Sequence, residues 1–149
     1  MNDTTDDRCA SGDAVSHSIP VRVYYEDTDA GGIVYHASHV RFFERGRTEF
    51  LRALGLDQID LAAQGPGLLF AVRRMEIDYL KAARLDDLLT VTTRVCDFGG
   101  ARMTMKQVLT RGEDTIAAAV VTIVGITREG RARRIPDDIR LLVGHPPHP

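Results

Sequence analysis

The chain has 149 residues, with 19 basic and 21 acidic side chains interleaved along it and a formal net charge of -2. That length suits one domain with one core, and the balanced charge leaves no basic footprint for nucleic acid or for an anionic membrane. Cys9 and Cys96 have no C-x-x-C spacing, which excludes zinc or dithiol motifs, and no apolar run approaches the roughly 18 residues of a membrane span.

The first 17 residues, MNDTTDDRCASGDAVSH, are acidic and rich in Asp, Ser, Thr and Gly. They lack the basic start and apolar stretch of a secretion signal. Residues 1–17 are therefore expected to be a disordered tail, 18–144 a single domain, and 145–149 a flexible end, in a soluble cytoplasmic protein. From Ile19 the pattern becomes strand-like: Val21, Val23 and Tyr25 alternate with Arg22, Tyr24 and Glu26. The strand runs into YYEDTDAGGIVYH, residues 24–36, where acids and the Gly31-Gly32 pair precede an apolar run, so a sharp turn inward is expected.

Next comes SHVRFFERGRTEFLRALG, in which Val40, Phe43, Phe50 and Leu54 recur at helical spacing, Phe42 and Leu51 widen the stripe, and Gly55 supplies a C-cap. Charges are expected on the opposite side only. Gly46 sits in mid-helix at a cost of about 1 kcal/mol relative to alanine, which a neighbour passing close over it would explain. After the Gly65-Pro66-Gly67 turn the period switches to two. LLFAVRRMEIDYL, LLTVTTRV, ARMTMKQVL and TIAAAVVTIVGIT then read as four antiparallel strands, with turns at Gly99-Gly100 and Arg111-Gly112-Glu113-Asp114. Cys96, which directly follows LLTVTTRV in the same apparent strand, is expected to be a small buried side chain. The last strand is apolar on both faces, as a central strand is. His145 and His148 are too few for a metal tract.

One long helix cannot be hidden beside a five-stranded sheet unless the sheet curls around it. An α+β fold follows, a curled antiparallel sheet wrapped around a central helix. Its open edges are expected to be closed by a second copy, making a homodimer or homotetramer.

The acids of residues 24–36 do not form a calcium loop. Counted from Asp27, the sixth position is Gly32 but the twelfth is Ser38 rather than an acid. Neither G-x-x-x-x-G-K-[ST], G-x-G-x-x-G nor G-x-S-x-G occurs. The carboxylates themselves remain. A carboxylate can attack a carbonyl carbon, or deprotonate a water that does, provided something stabilises the oxyanion. Free amides at a helix N-terminus are such a device. Asp29 lies just upstream of the expected helix start near His36 to Ser38, so a base and an oxyanion site are juxtaposed. The competing role for Asp29 is an Asx-type turn. Asp27 is expected to be structural, pairing with a nearby arginine.

YYEDTDAGGIVYHASHVRFFERGRTEFLRALG, continued by FAVRRMEIDYLKAARLDDLLTV, resembles the hotdog-fold acyl-CoA thioesterases of the 4-hydroxybenzoyl-CoA thioesterase type, in particular the Tol-Pal-associated branch. The likeness covers roughly residues 18 to 128. It implies an acyl-CoA or acyl carrier protein thioester as substrate, Asp29 as the catalytic carboxylate, and a backbone N–H at His36 that polarises the thioester carbonyl. It also implies a substrate contact for the His36 imidazole and no cofactor, coenzyme A being part of the substrate. Tyr25, Gly31, Gly32 and Arg102 complete the expected substrate-binding set. Tyr25 also fits the core, and the glycines serve by positive φ or close backbone approach. Arg73 and Arg74 are expected to be solvated strand residues. Many relatives carry tyrosine at position 39 and alanine at position 46, where this chain has His39 and Gly46. A noncatalytic hotdog module binding acyl groups, an acyl carrier or an envelope-related protein is the alternative. A hotdog dehydratase would use a histidine and an acid on a different element.

Overall fold

The structure is a computed structural model that describes residues 15–144; the expected tails fall mostly outside the described residues, as do Cys9, His145 and His148. Strand β1 is Ser16–Arg22, a one-turn 3-10 helix covers Tyr25–Asp27, and helix α1 is Ser38–Ala53. Helix α2 is Gln58–Ala63, followed by strands β2 Leu69–Tyr79, β3 Leu88–Phe98, β4 Arg102–Arg111 and β5 Asp114–Ile126, and by helix α3 Asp137–Leu142. β1 thus starts at Ser16, inside the segment expected to be tail. The five strands form one antiparallel sheet in the order β1-β3-β4-β5-β2. This is the expected architecture, with α1 packed on β1, β3 and β4.

Phe42, Phe43 and Phe50 of α1 are fully buried against Val91 and Val95 of β3 and Met105 and Leu109 of β4 in a common core. Each buried aromatic contributes about 1.5–3 kcal/mol over leaving it exposed. The apolar stripe is shifted from the expected one, because Val40 is exposed while His39 and Arg47 are buried. Arg47 is accommodated by a polar cluster: its Nη1 donates to Gln107 Oε1 at 3.1 Å, and Gln107 Nε2 donates to Phe43 O at 2.8 Å and Thr93 Oγ1 at 2.9 Å. Burial lowers the Arg47 pKa, with Glu44 acting against the shift. The same place explains Gly46. A Cβ there would stand 2.5 Å from Val91 Cγ1 and 2.9 Å from Thr93 Oγ1.

Three further expectations need correction. Tyr25 is 82% exposed, because the 3-10 turn ends the strand alternation after Val23. Cys96 is half-buried rather than buried. Asp27 is buried and structural, but its partner is the Tyr24 amide, which donates to Oδ2 at 2.8 Å, and not an arginine. α2, capped by Asp57 at the Ile59 and Asp60 amides, was not expected from the sequence. β5 buries one face fully and half-buries the other. Arg140 of α3 is buried over the Phe98 ring and donates to the Gly99 and Gly100 carbonyls, fastening the β3–β4 turn. Among the described residues no helix is long and apolar enough to cross a membrane.

Candidate active site

The segment between β1 and α1 is shaped by its own backbone. Thr28 bridges Val34, the Asp29 amide donates to Ile33 O at 2.9 Å, and the Gly32 amide returns to Asp29 O at 3.0 Å. Gly32 takes φ +79°, which favours glycine, and a Cβ on Gly31 would stand 3.1 Å from Asp29 Oδ1. That small hairpin presents Asp29 on its tip. Asp29 Oδ1 accepts the Gly31 amide at 2.8 Å, so the Asx turn is real, and Oδ2 has no partner among the described residues. The two glycines shape this turn and do not line the cavity described next.

Asp29 borders a cavity of about 360 Å³ lined also by Ile33, Val34, His36, His39, Tyr79 and Leu80 to Ala83. One wall is the segment just before α1. The other is the β2–β3 connection, held by Val34 N–H to Ala83 O at 2.8 Å and by Arg111, which donates to Ala82 O and to Asp87 Oδ2. Desolvation alone would raise the Asp87 carboxyl, but the Arg84 amide and the Arg111 guanidinium outweigh it and hold Asp87 below its ordinary value.

The N-terminus of α1 opens on the same cavity. Ala37 is the N-cap, no side chain caps it, and its first turn carries no acid. Tyr35 N–H donates to Asp27 O and Ser38 N–H to Tyr35 O, while the amides of His36 and Ala37 have no acceptor among the described residues. Unpaired donors at the positive end of a 16-residue helix are suited to a developing negative charge.

The fold therefore brings Asp29 and His36 to one cavity, with the unpaired amides of His36 and Ala37 at the helix start that borders it. It does not bring Tyr25 or Arg102 to them. Tyr25 projects to solvent, with its carbonyl accepting the Thr28 hydroxyl. Arg102 lines a separate 210 Å³ depression with Arg73, Arg74, Glu76, Val120 and Thr122. Its strand partner Val124 belongs to the half-buried outer face of β5, whereas Tyr79 pairs with Ala117 on the inner face. Arg102 also pairs with Asp97 at 3.6 Å. His39 and Tyr79 were not among the expected site residues. The sequence signal for Tyr79 was its place at the end of the β2 alternation, where an inner-face side chain clears the sheet.

Comparison with known proteins bears on the family and the fold. A family model described as the thioesterase-like superfamily matches residues 23–142. The acyl-CoA thioesterase YbgC of Haemophilus influenzae is 50% identical over 106 residues, covering 71% of this chain and 77% of that protein. The acyl-CoA thioester hydrolase YbgC of Escherichia coli is 42% identical over 122 residues, covering 80% and 90%. A crystal structure of a probable thioesterase from Bartonella henselae has a TM-score of 0.79 at 44% identity, covering 82% of this chain and all (100%) of that one. A 4-hydroxybenzoyl CoA thioesterase mutant complexed with 4-hydroxybenzoyl CoA shares the fold, with a TM-score of 0.80 at 19% identity over 87% of this chain and 99% of that one. With its curled five-stranded sheet around one helix, this hotdog-fold chain belongs to the thioesterase-like superfamily.

Proposed function

We propose that the chain is an acyl-CoA thioesterase in which Asp29 activates or delivers the attack on the thioester carbonyl and the amides at the start of α1 receive the oxyanion. The observation that carries this reading is the shared cavity: a carboxylate with one open oxygen borders the same space as His36, whose amide and that of Ala37 are unpaired. The names of the YbgC relatives support the substrate class. Water adds across the C–S bond, giving a free acid and coenzyme A, so no cofactor is needed. Ile33, Val34, Leu80, Ala82 and Ala83 supply apolar walls for the acyl group.

Two routes satisfy this arrangement. Asp29 deprotonates the attacking water, or it attacks the carbon itself and forms a mixed anhydride that water then opens. Label from oxygen-18 water appears in the Asp29 carboxylate after a single turnover only on the anhydride route. The reading as a whole is tested by thiol release over a panel of acyl-CoAs, against which a folded but inactive chain would overturn it. A substrate built on coenzyme A, a metabolite of the cell interior, supports a cytoplasmic location. The uncovered inner face of β2 supports a homo-oligomer, in which a neighbour's outer face, with Arg102, serves the phosphates of the bound coenzyme.

A further inference from the structure

We infer that His39 and Tyr79 are positioning residues that hold the two peptide planes carrying the unpaired amides of His36 and Ala37, a role that rests on the proposed polarisation of the thioester by those amides. His39 is 4% exposed, and its Nδ1 lies 3.2 Å from Tyr35 O and 3.2 Å from His36 O. Carbonyl oxygens only accept, so Nδ1 carries the proton. Burial pushes the His39 pKa below its ordinary value of 6.5, which keeps the ring neutral in that tautomer. The ring stands edge-on to Tyr79, 4.9 Å between centroids at 89°, so each aromatic fixes the other's plane.

Tyr79 adds the second clamp. Its hydroxyl donates to His36 O at 2.8 Å, across from β2 to the turn before α1. The His36 carbonyl thus receives Tyr79 and His39, and the Tyr35 carbonyl receives His39 and the Ser38 amide at 2.8 Å. In a planar trans peptide the N–H points opposite to the C=O. Pinning the Tyr35 and His36 carbonyls toward these donors therefore fixes the N–H groups of His36 and Ala37 on the other side. Donors on a carbonyl also polarise its amide and strengthen the N–H of the same peptide as a hydrogen-bond donor. Packing alone would not demand these contacts. His39 also meets Phe42, 6.4 Å between centroids, but that neighbour needs no ring nitrogen.

The test uses a thioester labelled with carbon-13 at its carbonyl, bound to the Asp29→Asn chain, whose slow turnover allows isotope-edited infrared spectra of the complex. The bound carbonyl stretch should lie below that of free acyl-CoA. Adding Tyr79→Phe or His39→Gln should move it back toward the free value, whereas His39→Asn, whose amide nitrogen falls near the Nδ1 position, should keep it. In chains that retain Asp29, Tyr79→Phe and His39→Gln should lower kcat about tenfold with KM little changed, less than the ~100-fold or more for losing an oxyanion donor outright. Tyr79→Phe removes one oxygen from a half-exposed ring, so it leaves the fold intact. A carbonyl that is shifted on binding, but equally in Tyr79→Phe and His39→Gln, would overturn the positioning role and leave the oxyanion reading standing. A carbonyl unshifted in the Asp29→Asn complex would overturn both.

Discussion

Asp29 Oδ1 accepts the Gly31 amide at 2.8 Å, so one oxygen of the proposed catalytic carboxylate is committed to the turn that displays it. Structure and chemistry are thereby separated on one side chain, and substitutions can remove either alone. Asp29→Asn keeps an oxygen for the Gly31 amide but cannot take a proton or attack. Thioester hydrolysis should fall at least ~100-fold, the lower end of general-base contributions, with an unchanged melting temperature. Thiol release and a thermal melt on the same preparation check this, and full activity in a folded variant would sink the assignment.

Gly31→Ala works from the other side. A Cβ 3.1 Å from Asp29 Oδ1 forces the carboxylate to give way. Activity should drop while the fold holds, because Gly31 is exposed at the hairpin tip. A misplacement of about 1 Å is worth on the order of 100-fold in rate, so loss should appear in kcat. A Gly31→Ala chain with native kcat would show that the Asx turn does not set the position of the reacting oxygen.

Gly46 lets two magnitudes compete. Alanine there gains about 1 kcal/mol of helix propensity but introduces a Cβ 2.5 Å from Val91 Cγ1, and overpacking of a close-packed core costs about 1–3 kcal/mol. The second wins, since Val91 is a fully buried β-branched residue on β3 and cannot swing aside. Gly46→Ala should lower the melting temperature by a few degrees. In a double-mutant cycle, Gly46→Ala with Val91→Ala should be less destabilised than the sum of the two single changes; strict additivity would refute the clash.

The long helix, the four later strands and the turn glycines were legible because each is a local pattern. The start of α1 near Ser38 was legible too, and with it the neighbourhood of Asp29. Tyr25 was misplaced because alternation predicts an inward side chain at every second residue, and nothing in the period announces that Asp27 will fold back onto the Tyr24 amide to end the strand. Arg47 was assigned to a solvated side because its acceptor, Gln107 Oε1, is 60 residues away on β4. The far wall of the cavity was illegible for the same reason. It depends on Val34 pairing with Ala83, a contact that exists only once the sheet has curled.

His39 also gives the stability a pH dependence of known sign. Its folded pKa lies below the ordinary 6.5 chiefly because burial disfavours the charged ring, with the Tyr35 and His36 carbonyls acting in the opposite direction. As pH falls below 6.5 the unfolded chain takes up a proton that folded His39 resists, so stability declines until the folded pKa is passed. Asp87, held below its ordinary 3.8, contributes stability above that value and loses it only at more acidic pH. Denaturant unfolding of the native chain and of His39→Asn between about pH 7 and 5 should therefore show a shallower slope for the variant. Parallel slopes would mean that His39 takes up its proton alike in the folded and unfolded chain, which would refute the effect of burial.

The active unit is expected to be at least a dimer that shares its sites. β1 and β2 are the open edges of the sheet, and the inner face of β2 is poorly covered: Met75 and Ile77 are half-buried, Val72 is 50% exposed and Tyr79 49%. Val40 of α1 is 40% exposed and lies one turn before Glu44, which borders the groove against Phe70 and Val72. An interface of ordinary size, about 1,600 Å² or more, would cover this strip and hold subunits together at assay concentrations. Sedimentation velocity should show no monomer at micromolar protein, and Val72→Glu, a charge on the half-exposed part of this strip, should release it while the circular dichroism of the fold is kept. Sharing is the sharper claim, because Arg102 and the Asp29 cavity lie on opposite faces of one sheet. Mixing Asp29→Asn chains with Arg102→Glu chains should recover activity above either parent, since one site in each hybrid then has an intact Asp29 and a neighbour's intact Arg102. A stable, fully active monomer, or hybrids no better than their parents, would confine the whole site to one subunit.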